Sequence, residues 1–202
     1  MTMPRRLVLA STSSYRRRLL DAAGVAYEAR APSFVEDHEV ALAPDAMAIA
    51  FARGKASSLR DAYPDALIVG SDQVPALGPR ILTKPETRER AIEQLVALEG
   101  RTHHLHTAIA LHDAREAVTT HRLVTHTMQM RPLTRREIEH YVDRDRPFDC
   151  AGSYRVEAAG ALLFERMNGD DHTAIVGMPL TALCLLLAER GVLPFDLAPS
   201  VP

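Results

Sequence analysis

The 202-residue sequence lacks an excess of charge of either sign, has only two cysteines and contains no long apolar run. Lysine and arginine together number 24, and aspartate and glutamate 26, which gives a formal net charge of −2. General binders of nucleic acids or anionic membranes normally carry a basic excess, so this balance argues against both classes. A small anionic ligand remains compatible, because a few local cations suffice to bind it.

The cysteines and the apolar segments exclude further classes. Cys150 and Cys184 form neither a disulfide framework nor a Cys-x-x-Cys metal motif, so we expect two reduced thiols. The apolar run Leu7–Ala10 is too short for a signal peptide, and Leu183–Ala188 is far too short for a membrane span. We therefore expect a cytoplasmic protein with an ordinary globular composition, 47% hydrophobic and 25% charged.

Several ligand-binding motifs are also missing. The sequence has no Walker A loop, no GxGxxG and no HExxH, so a P-loop, Rossmann or zincin site has no support. His103, His104 and His106 fall in a predicted strand, and we interpret them as part of a polar surface strand rather than as metal ligands.

Hydrophobic periodicity predicts a mixed α/β protein with a central sheet flanked by helices and a second lobe from the middle third of the chain. We expect one domain with two lobes over residues 1–191 and a loose tail over 192–202. The predicted strands are Arg6–Ala10, Ala66–Gly70, His104–Leu111, Val118–Met130 and Ala161–Phe164. The predicted helices are 15–24, Pro44–Leu59, Glu86–Leu98, one that begins with the capping box Thr134–Glu137, and Leu180–Glu189.

The first strand runs into the polar turn Ser11–Ser14, which caps the first helix. A helix N-terminus with free backbone N–H groups favours an anion. Arg16, Arg17 and Arg18 follow on this helix, where at most two of them can face one ligand. An isolated arginine triplet is more often a solvated basic face, but the adjacent helix N-terminus favours phosphate binding here.

Asp72 is the best single candidate for a catalytic carboxylate. We place it at the carboxyl end of the strand Ala66–Gly70, where open α/β sheets bind ligands. Lys55 on the preceding helix, Lys84 in a TKP turn and Glu36 in an acidic stretch complete a set of carboxylates and lysines. Such a set suits metal-assisted attack of water on a polyphosphate.

Eight short segments, in order, resemble the Maf family of septum-formation inhibitor-like nucleoside triphosphate pyrophosphatases. They span about residues 6–191, and their number, order and spacing make the resemblance specific. They are LVLASTSSYRRRLL, Glu36, FARGKA, IVGSDQV, TKP, LEGRTHHLHTAIAL, CAGSYRVEAAGALLFER and IVGMPLTALCLLL.

The resemblance implies two lobes around a nucleotide-binding cleft and cleavage of nucleoside triphosphates between the α and β phosphates. It implies a divalent cation such as Mg²⁺, Mn²⁺ or Co²⁺ and a homodimer. Because the basic residues are few and local, we expect no nucleic-acid or membrane partner. The resemblance makes Asp72 the general base and, with Glu36, a metal ligand. The residues that it implies contact the triphosphate are Arg16, Arg17, Lys55 and Lys84, together with the turn Ser11–Ser14.

Three positions resemble the branch of the family that acts on 7-methyl-GTP. They are Tyr15, Gln73 and Glu157, which in that branch set the choice of base. The chemistry agrees, because a ring stacked on the cationic 7-methylguanine contributes about 0.5–2 kcal/mol. A carboxylate can also accept from both guanine N1–H and N2–H₂, whereas uracil or thymine offers one such donor. The resemblance therefore implies release of diphosphate from 7-methyl-GTP, removal of modified nucleotides and a link to arrest of cell division.

The sequence departs from the family pattern at five positions, none of which removes a catalytic group. Ser14 stands where the family usually has Pro, Val35 where it has Asp, and Thr83 where it has Gly. Thr173 replaces an Asn, and Tyr15 replaces the expected Trp.

Two alternatives stay open at the level of sequence. One is a pyrophosphatase for dTTP and UTP or for a broad set of modified nucleotides. The other is a non-catalytic nucleotide-binding regulator of septation.

Overall fold

The computed structural model describes residues 5–197, which form seven strands, six α-helices and two 3-10 helices. The strands are β1 (Leu7–Ala10), β2 (Glu28–Arg30), β3 (Leu67–Leu77), β4 (Arg80–Ile81), β5 (Thr102–Asp113), β6 (Val118–Met130) and β7 (Phe164–Asn168). The α-helices are α1 (Ser14–Ala22), α2 (Pro44–Ser57), α3 (Arg88–Leu98), α4 (Arg135–Asp145), α5 (His172–Ile175) and α6 (Leu180–Ala188). The 3-10 helices are Ala159–Leu163 and Pro194–Leu197.

The strands pair in one mixed sheet in the order β2-β1-β3-β5-β6-β7, and β4 pairs with β3. Strand β1 is parallel to β2 and β3, whereas β4 is antiparallel to β3 and β7 is antiparallel to β6. With helices flanking this sheet, the predicted α/β class is confirmed. No helix within residues 5–197 combines the length and apolar composition that a membrane crossing requires.

Contacts divide the chain into two compact units. Within the described residues, the first unit comprises the chain through Gln73, Thr107–Val124 and the chain from Asp171 onward. Its core forms because the branched residues of β1 and β3 bury their side chains together with the leucines of α6. The residues that carry this packing are Leu7, Leu9, Leu67, Val69, Leu183, Leu186 and Leu187.

The second unit comprises Val74–His106 and Thr125–Asp170. Helices α3 and α4 contact each other here and bury apolar side chains such as Ile92, Leu95, Ile138 and Val142. The predicted capping box at the start of α4 is confirmed, with the Glu137 carboxylate accepting from the Thr134 backbone N–H at 2.8 Å.

Strand β3 is longer than the sequence predicts, which corrects the position of Asp72. Parallel pairing with β1 extends over Leu67–Val69, and β4 then pairs with the far end of β3 at Ala76 and Leu77. Strand β5 also pairs with β3, and β3 continues as far as Leu77, so Asp72 lies inside β3 rather than at its carboxyl end. Asp72 comes three residues after Val69, the last residue of β3 that pairs with β1. It therefore still lies just beyond the carboxyl end of the part of β3 that pairs with β1.

Two other local predictions need correction. The expected strand Ala161–Phe164 is a 3-10 turn followed by β7, because the backbone N–H groups of Ala158 and Gly160 donate to the Arg155 carbonyl and turn the chain. His103 is fully buried rather than on the surface, and its Nε2 lies 2.8 Å from the Tyr154 hydroxyl.

The predicted tail over residues 192–202 is partly described. Pro194–Leu197 forms a 3-10 helix, the Leu197 side chain is buried in the core, and its carbonyl accepts from the Ala26 backbone N–H at 2.6 Å. The chain is therefore packed as far as Leu197, and residues 198–202 lie outside the described residues.

Candidate active site

The centre of the site is a buried ion pair between α2 and β3. Lys55 is 6% exposed and Asp72 8% exposed, and the Lys55 Nζ donates to Asp72 Oδ1 at 2.6 Å. The same Nζ lies 2.6 Å from Glu36 Oε1, so one ammonium bridges two carboxylates. The Glu36 side chain is more open, at 35% exposed, and its Oε2 lies 3.3 Å from His38 Nε2.

Two glycines explain why these groups meet. A Cβ at Gly70 would lie 2.3 Å from the Ala52 carbonyl oxygen, so α2 and β3 approach closely only because Gly70 has no side chain. A Cβ at Gly54 would lie 2.2 Å from the Phe34 ring, which packs against α2 at this position. Phe34 belongs to the segment between β2 and α2 that also carries Glu36. The first contact brings Lys55 to Asp72, and the second holds the segment that carries Glu36 against α2.

The two carboxylates have pKa values displaced in opposite directions. Burial raises the pKa of Asp72 above its ordinary value, although the nearby charges of Lys55 and Arg16 oppose this. Burial also raises the pKa of Glu36, but Lys55, His38 and Arg16 together outweigh it and lower that pKa below its ordinary value. A carboxylate pair separated in this way suits one group to take a proton and the other to stay charged.

The turn between β1 and α1 is the segment for which the sequence predicts an anion site. Ser13 caps α1 by accepting from the Arg16 backbone N–H at 3.4 Å, and Ser11 is buried beneath it. The Ser11 hydroxyl accepts from the Ser13 backbone N–H at 3.1 Å and from the Arg16 guanidinium at 3.3 Å. The turn thus combines a helix N-terminus with a positioned cation.

The three arginines of α1 have different surroundings. The Arg16 Nε donates to the Gly177 carbonyl at 2.9 Å, and burial lowers the pKa of Arg16 against the opposing influence of Asp72 and Glu36. Arg17 is exposed and donates to the Thr12 carbonyl at 3.3 Å. The Arg18 guanidinium lies over the Tyr15 ring, 4.9 Å from its centroid. Arg16 is therefore the arginine of this triplet whose charge acts on the two carboxylates.

Gln73 is held by hydrogen bonds to its own unit. Its side-chain NH₂ donates to the Thr107 hydroxyl at 3.0 Å and to the carbonyls of Ala174 and Ile175 at 2.8 and 3.0 Å. The neighbouring Ser71 hydroxyl lies 2.9 Å from the carbonyls of Ala108 and Gly177. The segment around α5 is consequently fastened to β3 by main-chain acceptors.

Sequence reasoning missed the residue that organises this segment. Asp171 is buried and accepts from the backbone N–H and hydroxyl of both Thr173 and Thr181, at 2.5–3.0 Å. Burial raises the pKa of Asp171, but these hydrogen bonds outweigh it and lower the pKa. The signal was an Asp two residues before a Thr at a helix start, which is typical of an N-cap. Thr173, a departure from the family pattern, takes part in this cap.

Lys84 and Glu157 belong to the second unit, and each is exposed on a loop. Lys84 follows Thr83 between β4 and α3, and the Thr83 carbonyl accepts from the Gln94 side chain at 2.9 Å. Thr83 is not among the residues with positive φ, so the Gly-to-Thr departure causes no strain there. Glu157 lies in the turn that precedes the 3-10 helix Ala159–Leu163.

The predicted metal ligands fit a cation that also binds substrate. No group of three or more His, Cys, Asp or Glu side chains arranged to hold a metal occurs in residues 5–197. Glu36 and Asp72 nevertheless converge on one cationic atom, the Lys55 Nζ. Magnesium typically uses one or two carboxylates and takes its other ligands from water and phosphate oxygens. Two converging carboxylates therefore suit a metal bound together with a polyphosphate.

Comparison with known proteins relates this chain to pyrophosphatases. A family described as Maf-like protein matches residues 6–190. A 7-methyl-GTP pyrophosphatase of Syntrophotalea carbinolica is 41% identical over 188 residues, covering 92% of this chain and 95% of the relative. A protein of the same name from Bdellovibrio bacteriovorus is 43% identical over 193 residues, covering 94% and 100%. Another, from Hahella chejuensis, is 40% identical over 187 residues, covering 92% and 94%.

Proposed function

Because this chain belongs to the Maf family, we propose that it hydrolyses 7-methyl-GTP to 7-methyl-GMP and diphosphate. The observation that carries the proposal is the buried Asp72, whose carboxylate shares the Lys55 ammonium with Glu36 and feels the charge of Arg16. It unites a base with cations that suit a polyphosphate. The relatives that share about 40% identity bear the name of this activity.

Asp72 acts as the general base in this proposal. The water oxygen forms a bond to the α-phosphorus, and the bond from that phosphorus to the bridging oxygen breaks. Diphosphate leaves with the electron pair of the broken bond, and Asp72 takes the proton of the water. Lys55 occupies Asp72 Oδ1, so we assign the proton to Oδ2. Burial favours the protonated form of Asp72, and a bound cation that lowers the pKa of the water would share the task of deprotonating it.

Four cationic side chains bind the triphosphate in this proposal. Arg16 is oriented by Gly177 and Ser11, and Arg17, Lys55 and Lys84 supply further charge. Glu36 and Asp72 would hold a divalent cation, which neutralises phosphate oxygens and lowers the pKa of water when bound. Glu36 suits this role because its lowered pKa keeps it ionised.

Tyr15 and Glu157 read the base in this proposal. Tyr15 stacks on the cationic ring, and Glu157 accepts from the guanine N1–H and N2–H₂ groups. Since the Gln73 side-chain NH₂ donates to protein acceptors, we assign Gln73 to fixing the segment around α5 rather than to donating to the base. The cytoplasmic location and the homodimer stay predictions.

Diphosphate release from a nucleotide panel tests this function. The panel contains 7-methyl-GTP, GTP, dTTP, UTP and CTP, each with Mg²⁺, Mn²⁺ or Co²⁺ and with EDTA. We expect a preference for 7-methyl-GTP that EDTA abolishes. A preference for dTTP or UTP would overturn the choice of base and keep the Asp72 mechanism, whereas no release with any nucleotide would favour a binding protein.

Asp72→Asn is the variant that tests the mechanism. We expect a loss of at least about 10²-fold in kcat, the usual contribution of a general base. Asp65→Asn is the matched control, because Asp65 pairs with Arg115 on the exposed surface of the same unit. Wild-type turnover in Asp72→Asn would disprove the assignment.

A paired substitution tests base reading. Tyr15→Arg together with Glu157→Gln should shift the ratio of kcat/KM values from 7-methyl-GTP toward pyrimidine nucleotides. Unchanged ratios would remove both residues from base recognition.

A further inference from the structure

We propose that Gln94 is a positioning residue that ties the loop of Lys84 to the loop of Glu157. The inference rests on the proposed function, because it takes both residues to contact the nucleotide. All of the residues concerned belong to the second unit. The tie makes phosphate binding by one loop and base reading by the other depend on a single side chain.

The two halves of the Gln94 amide bond to different loops. Its Nε2 donates to the Thr83 carbonyl at 2.9 Å, and Thr83 directly precedes Lys84. Its Oε1 accepts from the Ser153 hydroxyl at 2.9 Å, and Ser153 lies four residues before Glu157. Because one group donates and the other accepts, glutamine satisfies both loops at once.

A main-chain bond joins the same two loops at a second point. Glu86 lies two residues after Lys84, and its backbone N–H donates to the Phe148 carbonyl at 3.0 Å. Glu86 has a positive φ of 64°, an uncommon conformation for a residue with a side chain. The loop is therefore turned toward this contact at a conformational cost, which other bonds must offset.

Ser153 also has a conformation that needs support. It is fully buried and has a φ of 64°, in the left-handed region that favours glycine. The Ser153 hydroxyl donates its hydrogen bond to Gln94 Oε1. Loss of Gln94 would leave a buried hydroxyl to find another partner in a strained backbone.

Arg155 lies two residues after Ser153 and two before Glu157, and it connects them along the chain. The Arg155 backbone N–H donates to the Tyr141 hydroxyl at 2.9 Å, and its carbonyl accepts from Ala158 and Gly160. These bonds close the turn that contains Glu157. A Cβ at Gly160 would lie 2.2 Å from the Arg155 carbonyl oxygen, so the turn is tight.

Hydrogen exchange of the full chain tests the tie without reference to activity. Gln94→Met keeps the length of the side chain and removes both hydrogen bonds. We expect faster exchange in peptides covering residues 83–88 and also in those covering 150–158. Gln129→Met is the matched control, because Gln129 bonds to Glu165 on the surface of the same unit. Faster exchange in one loop alone, or in neither, would overturn the tie.

Kinetics test whether the tie serves the reaction. We expect Gln94→Met to lower the ratio of kcat/KM for 7-methyl-GTP over GTP by about fivefold, the effect of one neutral hydrogen bond. Gln94→Glu keeps the acceptor for Ser153 and loses the donor to Thr83. It should restore the ratio and lower kcat/KM for both nucleotides alike. A wild-type ratio in Gln94→Met would overturn the positioning role.

A double-mutant cycle separates this inference from the proposed function. If Gln94 acts through Glu157, the losses of selectivity in Gln94→Met and Glu157→Gln should not add. Full additivity would overturn the inference. If Glu157→Gln alone leaves selectivity unchanged, the base-reading part of the proposed function fails, and the exchange experiment still decides whether Gln94 ties the loops.

Discussion

Replacing Lys55 with methionine should destabilise the protein in a way that depends on pH. The substitution keeps the apolar stem and removes the charge that lies 2.6 Å from both Asp72 and Glu36. Removing one member of a buried ion pair typically costs about 3–5 kcal/mol, because the other charge is left unpaired. Asp72 is the charge at issue, since its side chain is only 11% exposed.

Protonation of Asp72 sets a ceiling on this cost. Neutralising a carboxyl with an ordinary pKa near 3.9 costs about 4 kcal/mol at pH 7, at 1.36 kcal/mol per pH unit. The folded Lys55→Met variant should take up this proton rather than hold a buried charge. Its Asp72 pKa then lies well above the unfolded value, so the variant gains stability as pH falls and loses it as pH rises. We expect a penalty of about 3–4 kcal/mol at pH 7 that shrinks by up to about 1.4 kcal/mol per unit toward pH 5.

Urea unfolding at pH 5.5, 7.0 and 8.0 measures this penalty. Far-UV circular dichroism is the suitable signal, because the sequence contains no tryptophan. Lys84→Met is the control for stability, since Lys84 is exposed and its loss should change the free energy of unfolding by less than about 0.5 kcal/mol. An equal penalty at all three pH values, or none at pH 8.0, would refute the reasoning.

Three further substitutions give expected outcomes. Gly70→Ala places a Cβ 2.3 Å from the Ala52 carbonyl, so it should lower stability in urea by about 1–3 kcal/mol and reduce kcat by displacing α2 from β3. Arg18→Ala removes the guanidinium that lies over the Tyr15 ring, and should lower KM for 7-methyl-GTP more than KM for GTP. Burial lowers the pKa of His103 to about 4, so the unfolded chain binds a proton there that the folded chain does not, and wild-type stability falls from pH 6.5 to pH 4. His103→Phe should reduce this fall by about 3 kcal/mol, measured by urea unfolding at both pH values; parallel curves would contradict it.

Local sequence patterns predicted most of the helices and strands. The spacing of Met47, Phe51 and Lys55 places all three on the buried face of α2, and the capping box starts α4 where expected. The end of β3 was predicted wrongly, because its continuation depends on pairing with β5 and with β4, a two-residue strand with no periodicity of its own. The pairing partners of β3, which the apolar pattern of residues 66–70 does not show, thus set the end of the strand.

The candidate site shows the same division. Strand, turn and helix signals predicted the turn before α1, and charge type singled out Asp72, Lys55 and Glu36, which the structure brings together. Their convergence depends on the close approaches at Gly70 and Gly54, which are tertiary contacts without a local signature. Asp171 was missed because an N-cap aspartate has the same appearance whether it supports an ordinary helix or the frame of a site.

The segment that follows Asp171 holds its neighbours through backbone oxygens. The carbonyls of Ala174 and Ile175 accept from Gln73, and the Gly177 carbonyl accepts from Arg16 and Ser71. No side-chain substitution deletes a carbonyl, so an alanine scan would assign this segment little importance. Replacing the peptide bond after Gly177 with an ester would weaken that acceptor and reveal its contribution. A change in the path of the main chain should therefore disturb these contacts more than a change of side chain at Ala174, Ile175 or Gly177.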